Sequence, residues 1–263
     1  MTNQEIEEKI KKYLPEIKKE FVAIKVWKEE PRDVPKYEGF SFPGICTQIG
    51  DVLTSGRNFY STKDQSICQA ANMAVGVHPP STDEEWTPIQ EMHQEYSKES
   101  KDMEIARRYF RVEEPKLCPF PKEKNAAVQV GLFKDVEDPD TVLIFCNPAA
   151  GDLINRAYAY STGEIIKGFG SHSGCRITFG FTYVLNEPTF TMGTPEWRAY
   201  IGMDDDELTL AFPYRSLLRF IDDFHVQGVV YKRLIKMAKF SVRNNPQSPP
   251  TPDLLSRYRY PLP

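Results

Sequence analysis

The chain has no long hydrophobic run. Its longest apolar stretches, such as Val142-Leu143-Ile144-Phe145-Cys146, fall far short of the roughly 20 residues a membrane-spanning helix needs. It has no basic block: the net charge is -4, which excludes a surface built to track a phosphate backbone. The opening Met1-Thr2-Asn3-Gln4-Glu5 lacks the basic-then-apolar pattern of a secretory signal, so a cytoplasmic location is expected. Cysteine is scarce and odd in number: five residues with no Cys-x-x-Cys pair do not form a secreted disulfide framework. Also absent are a nucleotide P-loop, a dinucleotide fingerprint, a serine nucleophile elbow, a zinc-protease HExxH and a kinase set. The sequence therefore assigns no reaction by motif.

What the chain does have is a repeated pattern. Thr54-Ser55-Gly56 is followed by nine residues, then Ser66 and Cys68; Ser161-Thr162-Gly163 is followed by nine residues, then Ser173 and Cys175. A strand-like apolar run precedes each, at Val22 to Trp27 and Val142 to Cys146. The pattern suggests a duplication. The expected fold is α+β (or α/β), with two pseudo-symmetric halves, each a small sheet packed by helices.

The first half spans 1–126, with an N-terminal helix on Ile6, Ile10 and Leu14 and a charged insertion over 81–126 that carries Trp86, Ile89, Met92 and Tyr96. The second spans 127–243, and a Pro-rich extended tail covers 244–263. Ile45 to Leu53 predicts a helix ended by Gly56, and Asn58 to Ser66 a polar connection. Asn147 and Pro148 predict a helix start, with Gly163 as its stop. The segment after Cys175, RITFGFTYV, has strand propensity, but its counterpart CQAANMAVG argues helix, and helix is the expectation.

The early AIKVW strand, CQAANMAVGV, PDTVLIFCNP, GSHSGC and GTPEWRAYIGMDDDELTLAFP together resemble the prokaryotic family known as domain of unknown function family 169. The likeness runs from about residue 20 to 225. It implies a cytoplasmic protein of bacteria and archaea, often anaerobes, and carries over no activity and no catalytic residue.

Candidate reactive groups are Cys175 and Cys68, each expected to open a helix whose free N–H groups stabilise a thiolate, and His172, a base or ligand three residues before Cys175. The alternative for both cysteines is plain packing. A glycine-rich loop (Gly168, Gly170, Ser171, Ser173, Gly174), with Ser66 in the first half, could hold an anion through backbone amides. Arg198 could clamp a carboxylate or phosphate. Asp204-Asp205-Asp206-Glu207 is expected to be a solvated turn, and no metal ligands are assigned.

The expected function is binding of a small anionic organic ligand or cofactor, of unknown identity, in a cleft between the halves, with a reactive cysteine. The alternatives are a non-catalytic accessory protein of anaerobic redox metabolism and an iron–sulfur or other metal-binding protein. Expected partners are the small molecule and a second copy in a homodimer, with no nucleic acid and no membrane.

Overall fold

The structure is a computed structural model that describes residues 1–38, 44–65, 69–78, 91, 94, 100–170, 174–230 and 233. The expectations for the tail and for Trp86, Ile89, Met92 and Tyr96 lie outside the described residues.

Helix α1 (Asn3–Tyr13) starts in a capping box: Thr2 accepts from the Glu5 N–H, and the Glu5 carboxylate accepts from the Thr2 N–H. Strand β1 (Val22–Trp27) follows. Helix α2 (Ile45–Ser55) leads to β2 (Phe59–Ser61), and α3 is Gln69–Ala74. The charged region contains α4 (Met103–Arg108), capped by Asp102, then a π-helical turn Tyr109–Glu113 and α5 (Glu114–Leu117). Strands β3 (Ala127–Leu132) and β4 (Thr141–Cys146) are buried at every position, as central strands are. Helix α6 (Pro148–Thr162) is capped by Asn147. Strand β5 (Lys167–Phe169) precedes a helix over 174–185, which passes through a π-helical turn Arg176–Gly180 into α7 (Phe181–Leu185). Strand β6 (Thr189–Thr191), a π-helical turn Trp197–Ile201, β7 (Leu208–Pro213) and α8 (Tyr214–Leu218) follow, and residues 224–230 are helical.

The described strands form one seven-stranded sheet in the order β2-β3-β1-β4-β7-β6-β5. All neighbours are antiparallel except β5 and β6, which run parallel. The expected α+β class is what the chain adopts. The expected pair of small sheets is corrected: β1 and β4 pair at the middle (Val22 opposite Leu143), and the two wings fuse into a single sheet.

Each face of the sheet carries its own core. On one, Ala23, Val142, Ile144, Leu210 and Phe212 meet α1, α6 and α8. On the other, Val22, Ile24, Leu143, Phe145 and Ala211 meet α2, α3, the helix over 174–185, Trp197 and Ile201. Gly180 lies so close to α3 that an added Cβ would come within 2.7 Å of the Ala74 Cβ.

The repeat has a local physical basis. Gly56 (φ 69°, ψ 9°) and Gly163 (φ 72°, ψ 4°) end α2 and α6 in the same left-handed conformation. Ser55 Oγ donates to the Asp51 carbonyl at 2.6 Å and accepts from the Arg57 N–H at 3.2 Å. Thr162 Oγ1 donates to the Tyr158 carbonyl at 2.7 Å and accepts from the Glu164 N–H at 3.1 Å. Hydroxyl-then-glycine is thus a shared way of stopping a helix.

The duplication itself is not confirmed. A twofold that exchanges the antiparallel neighbours β1 and β4 runs perpendicular to the sheet and keeps each helix on its face. Yet α2 packs on one face and α6 on the other.

Candidate functional site

The two parallel strands end together, with Phe169 paired in register with Thr191. Beyond their carboxyl ends lies a cavity of about 70 Å3 lined by Phe169, Gly170, Gly174, Ile177, Thr191, Met192, Gly193 and Thr194. Space beyond the carboxyl ends of parallel strands, where the next helix begins, is where open α/β sheets hold ligands. One water position needs roughly 10–15 Å3 by this measure, so the cavity takes about five waters or a molecule of a few heavy atoms.

The walls are tied down by side-chain hydroxyls. Thr178 Oγ1 donates to the Gly174 carbonyl at 2.5 Å and shares a 3.2 Å hydrogen bond with Thr191 Oγ1. Thr194 Oγ1 accepts from the Trp197 N–H at 3.4 Å. Gly174 fits only as glycine, because an added Cβ would lie 2.9 Å from both Thr194 Cγ2 and Trp197 Nε1. Trp197 is 1% exposed, and its Nε1–H has no hydrogen-bond partner among the described residues. A buried N–H without an acceptor costs free energy unless something else accepts from it.

Two buried thiols belong to the core on this face of the sheet. Cys46 stands in the first turn of α2, whose N-terminus has only Gly44 as cap and no side-chain capping bond. Cys175 follows Gly174 in the helical stretch described over 174–185. Both are buried in one core as thiols. Interaction with the Cys175 side chain, together with the Thr47 and Cys46 N–H groups, holds the Cys46 thiol below its usual range, against burial and the Glu196 carboxylate. Burial instead pushes Cys118 up to about 11 and Cys146 up to about 12.

Of the residues expected from the sequence, Gly170 and Gly174 line the cavity, and Cys175 lies one residue beyond its wall. Gly168 is on β5, where an added Cβ would run into the Phe190 ring at 2.1 Å. Arg198 is bound to the chain: its guanidinium donates to the Met192 carbonyl at 2.9 Å and to the Asp204 carbonyl. Cys68, His172, Ser66, Ser171 and Ser173 lie outside the described residues.

Sequence reasoning did not bring Cys46 or Trp197 to this region; both are buried in the core on this face of the sheet, outside the cavity lining. Cys46 stands two residues after Gly44, whereas Cys175 follows Gly174 directly, so spacing gave no signal that pairs them. Trp197 gave none, because an unpartnered N–H is a property of packing. Among the described residues no group of three or more His, Cys, Asp or Glu could hold a metal, and no helix is long and apolar enough to cross a membrane.

No solved structure matches the chain. An uncharacterised protein of Methanocaldococcus jannaschii is 25% identical over 227 residues, covering 82% of this chain and 92% of that protein. The model of domain of unknown function family 169, described as uncharacterised ArCR, matches residues 9–223, and the chain belongs to that family.

Proposed function

We propose that this protein binds a small anionic organic molecule in the cavity at the ends of β5 and β6, and that a buried thiol beside it is reactive. The observation that carries the reading is the buried Trp197 Nε1–H, which lies behind Gly174 of the cavity wall and has no hydrogen-bond partner among the described residues. Gly174, at the amino-terminal side of the helical stretch described over 174–185, lines the cavity, and the positive end of a helix dipole favours a negative ligand. The volume restricts the ligand to a few heavy atoms, on the scale of a short carboxylate. The reading places the protein in the cytoplasm, where thiols are kept reduced.

The test follows the indole N–H resonance of Trp197, assigned by its loss in Trp197→Phe. Titration with acetate, and separately with inorganic phosphate, is expected to move that resonance. Trp197→Phe is expected to weaken binding about tenfold, the effect of one hydrogen bond to a charged group. An unmoved resonance with both probes, together with native mass spectra free of any co-purified small molecule, overturns the reading.

A further inference from the structure

The cavity at the ends of β5 and β6 has a buried floor and an exposed rim. Gly174, Ile177, Thr191 and Thr194 are buried, whereas Gly170 and Met192 are exposed, Met192 at 65%. The polar groups are few. The Thr191 hydroxyl is already bonded to Thr178. Thr194 Oγ1 accepts from the Trp197 backbone N–H, which leaves its own O–H to donate. The Trp197 Nε1–H stands behind Gly174, where the lack of a side chain leaves it approachable from the cavity. The other side chains of the described lining, Phe169, Ile177 and Met192, are apolar, and none of the described lining residues is charged.

We propose that the ligand of this cavity is a short aliphatic monocarboxylate, of about two to four carbons given the volume, and that Met192 sets the preference for its hydrocarbon tail. The inference rests on the reading of the cavity as an anion site and narrows it to one chemical class. The carboxylate takes the Trp197 Nε1–H and the Thr194 O–H at the Gly174 side. The tail runs along Phe169 and Ile177 and leaves past Met192. Small-molecule pockets pair apolar walls with a few placed polar groups in this way. Two neutral donors compensate the desolvation of one negative charge better than that of two, so a carboxylate suits this lining better than a phosphate dianion.

The fold holds Met192 at the rim by its backbone. Arg198 Nη2 donates to the Met192 carbonyl at 2.9 Å, and Gly193 turns the chain in the left-handed conformation (φ 75°). An added Cβ at Gly193 would lie 2.9 Å from Met203 Cε, so the turn is packed from behind. The unbranched thioether of Met192 is left to adapt to the tail. Each methylene that passes from water onto this rim tightens binding about threefold.

The test follows the Trp197 indole N–H resonance of the full-length chain in separate titrations with acetate, propionate, butyrate, butyramide and inorganic phosphate. Affinity is expected to rise about tenfold from acetate to butyrate, with propionate between them. Butyramide and phosphate are each expected to bind about tenfold more weakly than butyrate. Met192→Ser, a change at an exposed position, is expected to cut the butyrate-to-acetate ratio to about threefold. The wild-type titrations need no variant, so they decide the class even where Met192→Ser misfolds. Butyrate no tighter than acetate, phosphate as tight as butyrate, or an unchanged ratio in folded Met192→Ser overturns the proposal and leaves the anion reading standing. Butyramide as tight as butyrate, or a resonance that no probe moves, overturns the anion reading and the proposal with it.

Discussion

Arg176, next to Cys175, shows how much a single buried charge can govern. Its Nη1 donates to the Glu114 carboxylate at 2.7 Å, its Nη2 to the Cys118 carbonyl at 2.6 Å, and its guanidinium lies 3.9 Å from the Phe120 ring centroid. Both charged groups are 2% exposed. Removing one partner strands the other in a medium that cannot solvate it. Arg176→Met is therefore expected to cost about 3–5 kcal/mol, and the double change Arg176→Met with Glu114→Leu much less. Urea midpoints of the three proteins check this, and a double variant no better than the single would contradict it. Gly180 is a second residue under tight constraint. Gly180→Ala pushes a methyl against Ala74 and is expected to cost about 1–3 kcal/mol, since backbone as well as side chain must give way. Gly168→Ala meets only the partly exposed Phe190 ring and is expected to cost less in the same unfolding assay.

Among the elements, α1 carries a pH dependence. Glu7 is 5% exposed; it accepts from the Phe21 N–H at 3.0 Å and pairs with Lys11 at 2.8 Å, while Lys11 also pairs with Glu20 at 2.7 Å. Burial, with Glu20 alongside, pushes the Glu7 carboxyl up from 4.5 to about 7. Glu20, held by Glu7 and Lys11, moves down. A raised folded pKa means that the Glu7 contribution is fully present below its unfolded value and is lost as pH rises through about 7. The Glu20 contribution is lost on the acid side instead, as pH falls below the ordinary carboxylate range. Thermal unfolding between pH 5 and 8 should therefore show the wild-type Tm falling relative to Glu7→Gln, which keeps an acceptor for Phe21. Parallel Tm profiles for the two proteins would refute the assignment.

Over the molecule as a whole, the sheet binds the chain into one cooperative body. Strand β3 (127–132) lies between β2 and β1, and β1 pairs with β4. A cut between 126 and 127 separates hydrogen-bonded strands and opens both cores. Fragments 1–126 and 127–263 are expected to show no cooperative unfolding by circular dichroism when made separately, while the intact chain unfolds in one transition. A fragment with its own sharp transition would contradict this.

Much of the fold was legible locally. The runs at Val22 and Val142 became β1 and β4, and Asn147-Pro148 and Gly163 bounded α6, because caps and continuous apolar strands are short-range effects. RITFGFTYV is helical although Ile, Thr, Phe and Val favour strands, because packing on α3 and the sheet outweighs propensity. Strand β2 was read as connection, since Phe59-Tyr60-Ser61 is too short to display a period of two. The helical stretch from Met103 to Leu117 was hidden within a charged insertion.

Contiguous residues were enough to set where these elements start and stop and which family the chain belongs to, since both properties reside in short stretches. Only long-range packing could set α2 and α6 on opposite faces, merge two wings into one sheet, and bury Cys46, Cys175 and Trp197 in one core. Local periodicity says that a helix has an apolar face. Which surface receives it depends on the summed burial of segments more than a hundred residues apart.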